Sequence, residues 1–105
     1  MIGLIIANFF TGAFLCNSIP HLAAGLRGES FPTPFASPPG KGLYPPLVNH
    51  LWGCLNLLVA AILASYFPVV IKITWGGGAF ALGFILMGIQ LAVHFGEVKR
   101  NTKNT

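Results

Sequence analysis

Residues 2–26, 47–67 and 75–96 contain no Asp, Glu, Lys or Arg, and these three apolar tracts restrict what the chain can fold into more than any other feature. Each is about 20 residues or longer, and at about 1.5 Å of rise per residue each can cross a hydrocarbon core of about 30 Å. Of the 105 residues, 54% are apolar and 8% charged, against roughly 25% charged in an ordinary soluble domain. So few charges cannot cover a water-soluble fold. The expected fold class is an all-α membrane protein, one three-helix transmembrane domain over residues 1–105 with a short basic tail at 97–105.

The first tract reads as a retained helix. It lacks the basic leader and the small-residue cleavage site of a secretory signal, and Cys16 lacks the basic leader of a lipoprotein signal. The six basic residues are unevenly placed: Arg27 and Lys41 in the first loop, Lys99, Arg100 and Lys103 in the tail, and Lys72 alone in the second loop. Three spans put the first loop and the tail on one side, so the positive-inside rule predicts an outside N-terminus and a cytoplasmic C-terminus. Three charges in "KRNTKNT" are fewer than the roughly four to eight of a nucleic-acid or anionic-lipid patch, and the tail reads as a topology anchor. No nucleic-acid partner is expected. Tyr66 and Trp75 fall at the outer boundary and Tyr44 and Trp52 at the inner one, as in aromatic belts.

Within the first helix, Pro20 removes the hydrogen bond to the Cys16 carbonyl and predicts a kink beside Asn17, Ser18 and His21. Pro45 and Pro46 suit the first turn of the second helix. Residues 68–74 are short, which predicts a packed hairpin of the second and third helices. On the third helix Gly76, Phe80, Gly83, Met87, Gln90 and His94 share one stripe, and Ala79 with Gly83 forms a small-xxx-small pair that invites close packing, within the chain or between copies. Cys16 and Cys54 have no Cys-x-x-Cys spacing and read as small apolar residues.

Polar side chains concentrate at one end. His21 lies about two turns from the end of the first helix, His50 one turn into the second and His94 in the last turn of the third. Asn17, Asn49, Asn56 and Gln90 join them, whereas the other half holds little beyond Asn8 and Thr11. One explanation is structural: amide and imidazole groups bond across transmembrane helices for roughly 0.6–2 kcal/mol each. The other is a binding site open to the cytoplasmic leaflet, formed by Asn17, His21, Asn49, His50, Asn56, Gln90 and His94, for a lipid-like or small-molecule ligand. Three imidazoles could also hold a metal, or two a haem, but no compact ligand spacing supports a particular cofactor.

The only acids, Glu29 and Glu97, lie outside the tracts, so no intramembrane carboxylate offers a proton relay. No catalytic triad, phosphate-binding glycine loop or zinc-protease motif occurs. The chain leans away from an enzyme. The leading expectation is a binding or accessory protein; the alternatives are an oligomeric channel or transporter lined by the Gly76–His94 stripe, and a His-ligated metal or haem protein. Expected partners are membrane lipids and either further copies of the chain or a larger membrane complex.

The loop 28–46 contains "FPTPFASPP", in which four prolines donate no backbone hydrogen bond and two phenylalanines favour the interface. Lying over the polar end, it predicts either an interfacial anchor or a lid, with Phe31, Pro32, Pro34 and Phe35 covering the site and "GKG" at 40–42 turning the chain back. The strings "NSIPH", "GESFPTPFASPPGKG" and "VNHLWGCLN" together resemble a set of small uncharacterised bacterial integral membrane proteins with an Asn-x-x-Pro-His kink, a Phe-Pro-Thr-Pro-Phe loop and an Asn-x-x-Trp-Gly helix start. The likeness covers about the first half of the chain. It implies a multi-pass protein of the bacterial inner membrane with a linked kink and loop, and carries over no catalytic residue.

Overall fold

A computed structural model describes residues 1–103. It contains three long helices, α1 (Ile2–Leu26), α2 (Pro46–Tyr66) and α3 (Trp75–Lys103), with two short strands, β1 (Phe31–Pro32) and β2 (Leu43–Tyr44), between α1 and α2. All three helices are long and apolar enough to cross a membrane. The long axis of the molecule, 48 Å, matches a hydrocarbon core with both headgroup regions, about 40–45 Å.

The arrangement differs from the expected hairpin of the second and third helices. Both α2 and α3 pack along α1, and they touch each other little. Burial follows the same order: 39% of the most apolar window of α1 is enclosed, against 22% in α2 and 6% in α3. The cause lies in which helix carries small residues on more than one face. Hydrocarbon gives apolar side chains no reason to leave lipid, so helices associate through close backbone approach and hydrogen bonds. The buried apolar residues are accordingly small: Ala7, Ala13, Cys16 and Ala24 on α1, Ala36 in the loop and Ala60 on α2. The large ones, such as Leu51, Leu58, Ile62, Leu82, Ile85 and Ile89, face outward.

The α1–α3 crossing is tight. A Cβ at Gly83 would collide with the Phe9 carbonyl, and one at Gly12 with the Phe80 carbonyl. The Gly76–Gly83 half of the stripe therefore meets α1 within the chain, where Gly76 faces the Asn8 side chain. At the α1–α2 crossing Gly25 sits against the Pro46 carbonyl and the His50 backbone, and Gly53 against Leu22.

Helix boundaries carry two further lessons. Pro46 opens α2 as expected, with Pro45 as its N-cap in an extended conformation. The third helix does not stop at 96: it continues to Lys103, so the basic tail through residue 103 is helical. Residues 104–105 of the expected tail lie outside the described residues. The polar run from Glu97 reads as a tail by hydropathy, yet Glu, Lys and Arg are good helix formers and propagate a helix that already exists. Across Pro20, α1 stays one continuous helix. Ser18 Oγ donates to the Leu15 carbonyl at 2.6 Å.

Replacing Gly83 by Ala forces α1 and α3 apart and is expected to destabilise the protein by about 1–3 kcal/mol. The same change at Gly78, where a Cβ meets nothing within 4 Å, should be neutral or stabilise by up to about 1 kcal/mol through helix propensity. Denaturant titrations in mild detergent micelles measure both; equal stabilities of the two variants would contradict the crossing described here.

Candidate functional site

The polar end is built around Asn49, in the first turn of α2 and fully buried. Its Nδ2 donates to the carbonyls of Phe31 and Tyr44, each at 3.0 Å, and to that of Pro45 at 3.3 Å. Three carbonyls around the nitrogen fix the orientation of the amide, because none of them can donate. Asn49 Oδ1 therefore faces α1, where His21 Nδ1 lies 2.8 Å away. That oxygen only accepts, so His21 carries its proton on Nδ1 and leaves Nε2 as an acceptor. Among the described residues, nothing donates to that nitrogen.

The strand pair follows from the same contact. β1 and β2 are antiparallel, with Phe31 opposite Tyr44 and Pro32 opposite Leu43, and Asn49 reaches one carbonyl in each. Two residues per strand are too few to hold by themselves; the buried amide ties both to α2. Beyond β1 the chain wraps on itself: the Thr33 carbonyl accepts from the amides of Ala36 and Gly40, and the Pro38 carbonyl from those of Lys41 and Gly42. Gly40 takes a positive φ of 71°, which glycine adopts without strain. Its carbonyl accepts a hydrogen bond from His94 Nε2 at 2.7 Å, joining the loop to α3.

Of the four residues expected to form a lid, Phe31 enters between α1 and α3, its ring 5.5 Å from that of His21 and 4.6 Å from that of Phe95. Pro32 is buried beside it, and Pro34 is exposed. Phe35 takes another place: it is 47% exposed and rests on Tyr44 and on Trp52 of α2.

The seven expected ligand-binding residues divide into groups. Asn17 Nδ2 donates to Asn56 Oδ1 at 2.9 Å, and Asn56 Nδ2 donates to the Trp52 carbonyl. These two clasp α1 to α2, as Asn49 and His21 do one turn further on. His50 turns away from the other histidines; its Nε2 lies 3.5 Å from Cys54 Sγ, and its Nδ1 is buried with no partner. Asn17, His21, Gln90 and His94 do come together, lining a cavity of about 220 Å³ under the loop. Gln90 is on its exposed flank. No group of three His, Cys, Asp or Glu side chains among the described residues is placed to hold a metal ion.

Two residues at this end carry no signal in the sequence pattern. Thr33 lines the same cavity, is 1% exposed and leaves Oγ1 unpaired; it sits in a proline-rich loop, where burial is not expected. Phe95 walls the cavity and packs on the Phe31 ring, and in a helix full of apolar residues it does not stand out. At the opposite end Asn8, 1% exposed, donates to the Phe67 carbonyl at 3.0 Å and so satisfies the C-terminus of α2. An isolated Asn in an apolar run was the available signal, since such a group needs a partner.

No protein-family model, curated protein or solved structure matches this chain. The site therefore stands on its own geometry.

Leaving the groups around a buried amide without partners costs about 1–3 kcal/mol, and each 1.4 kcal/mol is a factor of ten. Asn49→Ala is thus expected to speed the reaction of a Thr33→Cys variant with a water-soluble maleimide at least about fivefold. Unchanged protection of that thiol would mean that Asn49 does not hold the loop.

Proposed function

We propose that the chain is a multi-pass protein of the bacterial inner membrane, with its N-terminus outside and its C-terminus in the cytoplasm, acting as a binding or accessory protein for a lipid-like or small-molecule ligand held under the 28–46 loop. The observation that carries the reading is the cavity beneath that loop. A loop clasped shut at Asn49 still leaves about 220 Å³, several times the share of liquid volume that one water occupies, about 30 Å³. Its lining combines an imidazole with a free acceptor, a buried hydroxyl without a partner and the Gln90 amide, within apolar walls from Leu91 and Phe95. Few polar groups set in an apolar surround are the usual composition of a small-molecule site.

Binding is favoured over conduction by the same geometry. The glycine positions of the stripe that would line a pore, Gly76 and Gly83, face α1 within the chain. The asymmetry of basic residues supports the orientation, and the length of the three helices supports the membrane.

Purification in mild detergent followed by native mass spectrometry should find a co-purifying organic ligand, with occupancy falling severalfold in His21→Ala and in Gln90→Ala. The second variant alters an exposed residue and should leave folding intact. Folded protein free of any such ligand would remove the reading. In a background with Cys16 and Cys54 replaced by Ala, Ile73→Cys should react with an impermeant maleimide in intact cells and Arg100→Cys only after lysis. The reverse pattern would invert the orientation.

A further inference from the structure

On the other side of the Phe31–Phe95 pair from the polar cavity, two further recesses meet. One is an apolar groove of about 460 Å³ between α1 and α3, with Cys16, Ile19 and Phe31 on one wall and Phe84, Gly88 and Ala92 on the other. Its upper end reaches Lys99. The second, about 420 Å³, lies above it between the loop and α3 and contains Ser30, Lys41 and Lys99. Phe31, Phe95 and Lys99 border both, so the two adjoin at that point.

Helical periodicity accounts for the groove. Residues 84, 88, 92, 95 and 99 recur at intervals of three or four and share one face of α3. Gly88 and Ala92 are small, which leaves a recess on that face with Cys16 across from Gly88. From Phe84 to Lys99 the helix rises about 22 Å, more than the roughly 15 Å hydrocarbon depth of one leaflet. The charges are set above it. Lys41 comes from the loop and Lys99 from α3, and neither forms a salt bridge among the described residues. Glu29, whose carboxylate senses Lys99, is already held by Arg27 through two hydrogen bonds of 3.1 and 3.0 Å.

We infer that this composite recess is a binding site for one anionic membrane phospholipid, its acyl chain in the α1–α3 groove and its phosphate headgroup between Lys41 and Lys99. Charge complementarity selects the occupant: an apolar channel of leaflet depth capped by two cations and the Ser30 hydroxyl fits a phosphate ester with a hydrocarbon tail. A zwitterionic lipid such as phosphatidylcholine brings a fixed cation beside its phosphate, so it offsets less of the charge on the two ammonium groups than a lipid with net negative charge does. The two basic residues are distant in sequence, so neither the loop nor the tail alone reaches the charge density of an anionic-lipid patch; the fold brings them together. This site rests on the membrane placement of the helices and is separate from the ligand under the loop, since Lys41, Ala92 and Lys99 do not line that cavity.

The test is competition for the full chain, purified in a neutral detergent, between phosphatidylglycerol and phosphatidylcholine at equal concentration, read by native mass spectrometry. Retained phosphatidylglycerol should exceed phosphatidylcholine about tenfold or more, and the preference should fall to near unity in Lys41→Gln/Lys99→Gln. Lys72→Gln, at the far end of the molecule, should leave it unchanged. Ala92→Trp, a substitution at an exposed position that fills the groove, should cost most of the retained phosphatidylglycerol. Equal retention of the two lipids by the parent chain, or an equal loss of preference in Lys72→Gln, would overturn the assignment. Neither result bears on the ligand under the loop, which is read from His21→Ala and Gln90→Ala.

Discussion

One side-chain amide organises the polar end of this protein. Asn49 has two donor hydrogens and an acceptor oxygen, and it spends them on α1, β1, β2 and its own helical turn at once. Asp has no donor and Ser has too few groups, so the residue type is dictated by the junction. Its surroundings are dry, which strengthens each hydrogen bond and makes a missing one costly. Everything that could act as a site depends on that junction. The strand pair positions Phe31, Phe31 borders the two recesses that meet near Lys99, and the tautomer imposed on His21 decides which of its nitrogens can meet a ligand.

The rest of the bundle follows a related economy. Lipid supplies no hydrophobic drive between helices, and the α1–α2 seam is held instead by amides spread along it: Asn8 to the Phe67 carbonyl, Asn17 to Asn56, and the His21–Asn49 pair. The α1–α3 seam has a different character. Glycines at 12 and 83 bring the backbones together near its middle, and α3 is tied at the loop end through His94 and Gly40. The seam bonded by amides is tied at several levels along its length, and the groove lies in the other, beyond its close glycine crossing. A bundle whose two interfaces are built from different chemistry can keep one closed while the other accommodates a chain of carbon atoms.

Much of this was legible because helices long and apolar enough to cross a membrane leave coarse marks. Uncharged tracts reveal helices, paired prolines at 45 and 46 reveal a helix start, and the gathering of His and Asn at one end survives any uncertainty in boundaries. Helix pairing was not legible, since a short connection between α2 and α3 suggests a hairpin while the actual partner is chosen by small residues spread around α1. Nor was the length of α3: hydropathy drops at Glu97 although helix propensity does not. The division of the polar residues was hidden for a third reason. Spacing shows that Asn17, His21, Asn49 and Asn56 gather at one end, but only the side-chain directions show that Asn17 binds Asn56 and Asn49 binds His21, with Asn17, His21, Gln90 and His94 bordering the cavity.

The proline-rich loop gains its meaning from what lies on either side of Phe95. Towards Gln90 and His94 the recess is small, with a few polar groups in an apolar surround; towards Ala92 and Lys99 it is long, apolar and capped by charge. A flexible loop could not maintain such a partition, because each recess would relax into the other. Prolines at 32, 34, 38 and 39 limit the conformations the segment must lose on ordering, and the two bonds to the Thr33 carbonyl together with His94 on Gly40 fix what is left. The aromatic wedge can then rest against Phe95 without a covalent tie. A loop that is stiff and greasy is what a wall between two unlike recesses requires, and the same properties would be wasted on a segment that merely connected two helices.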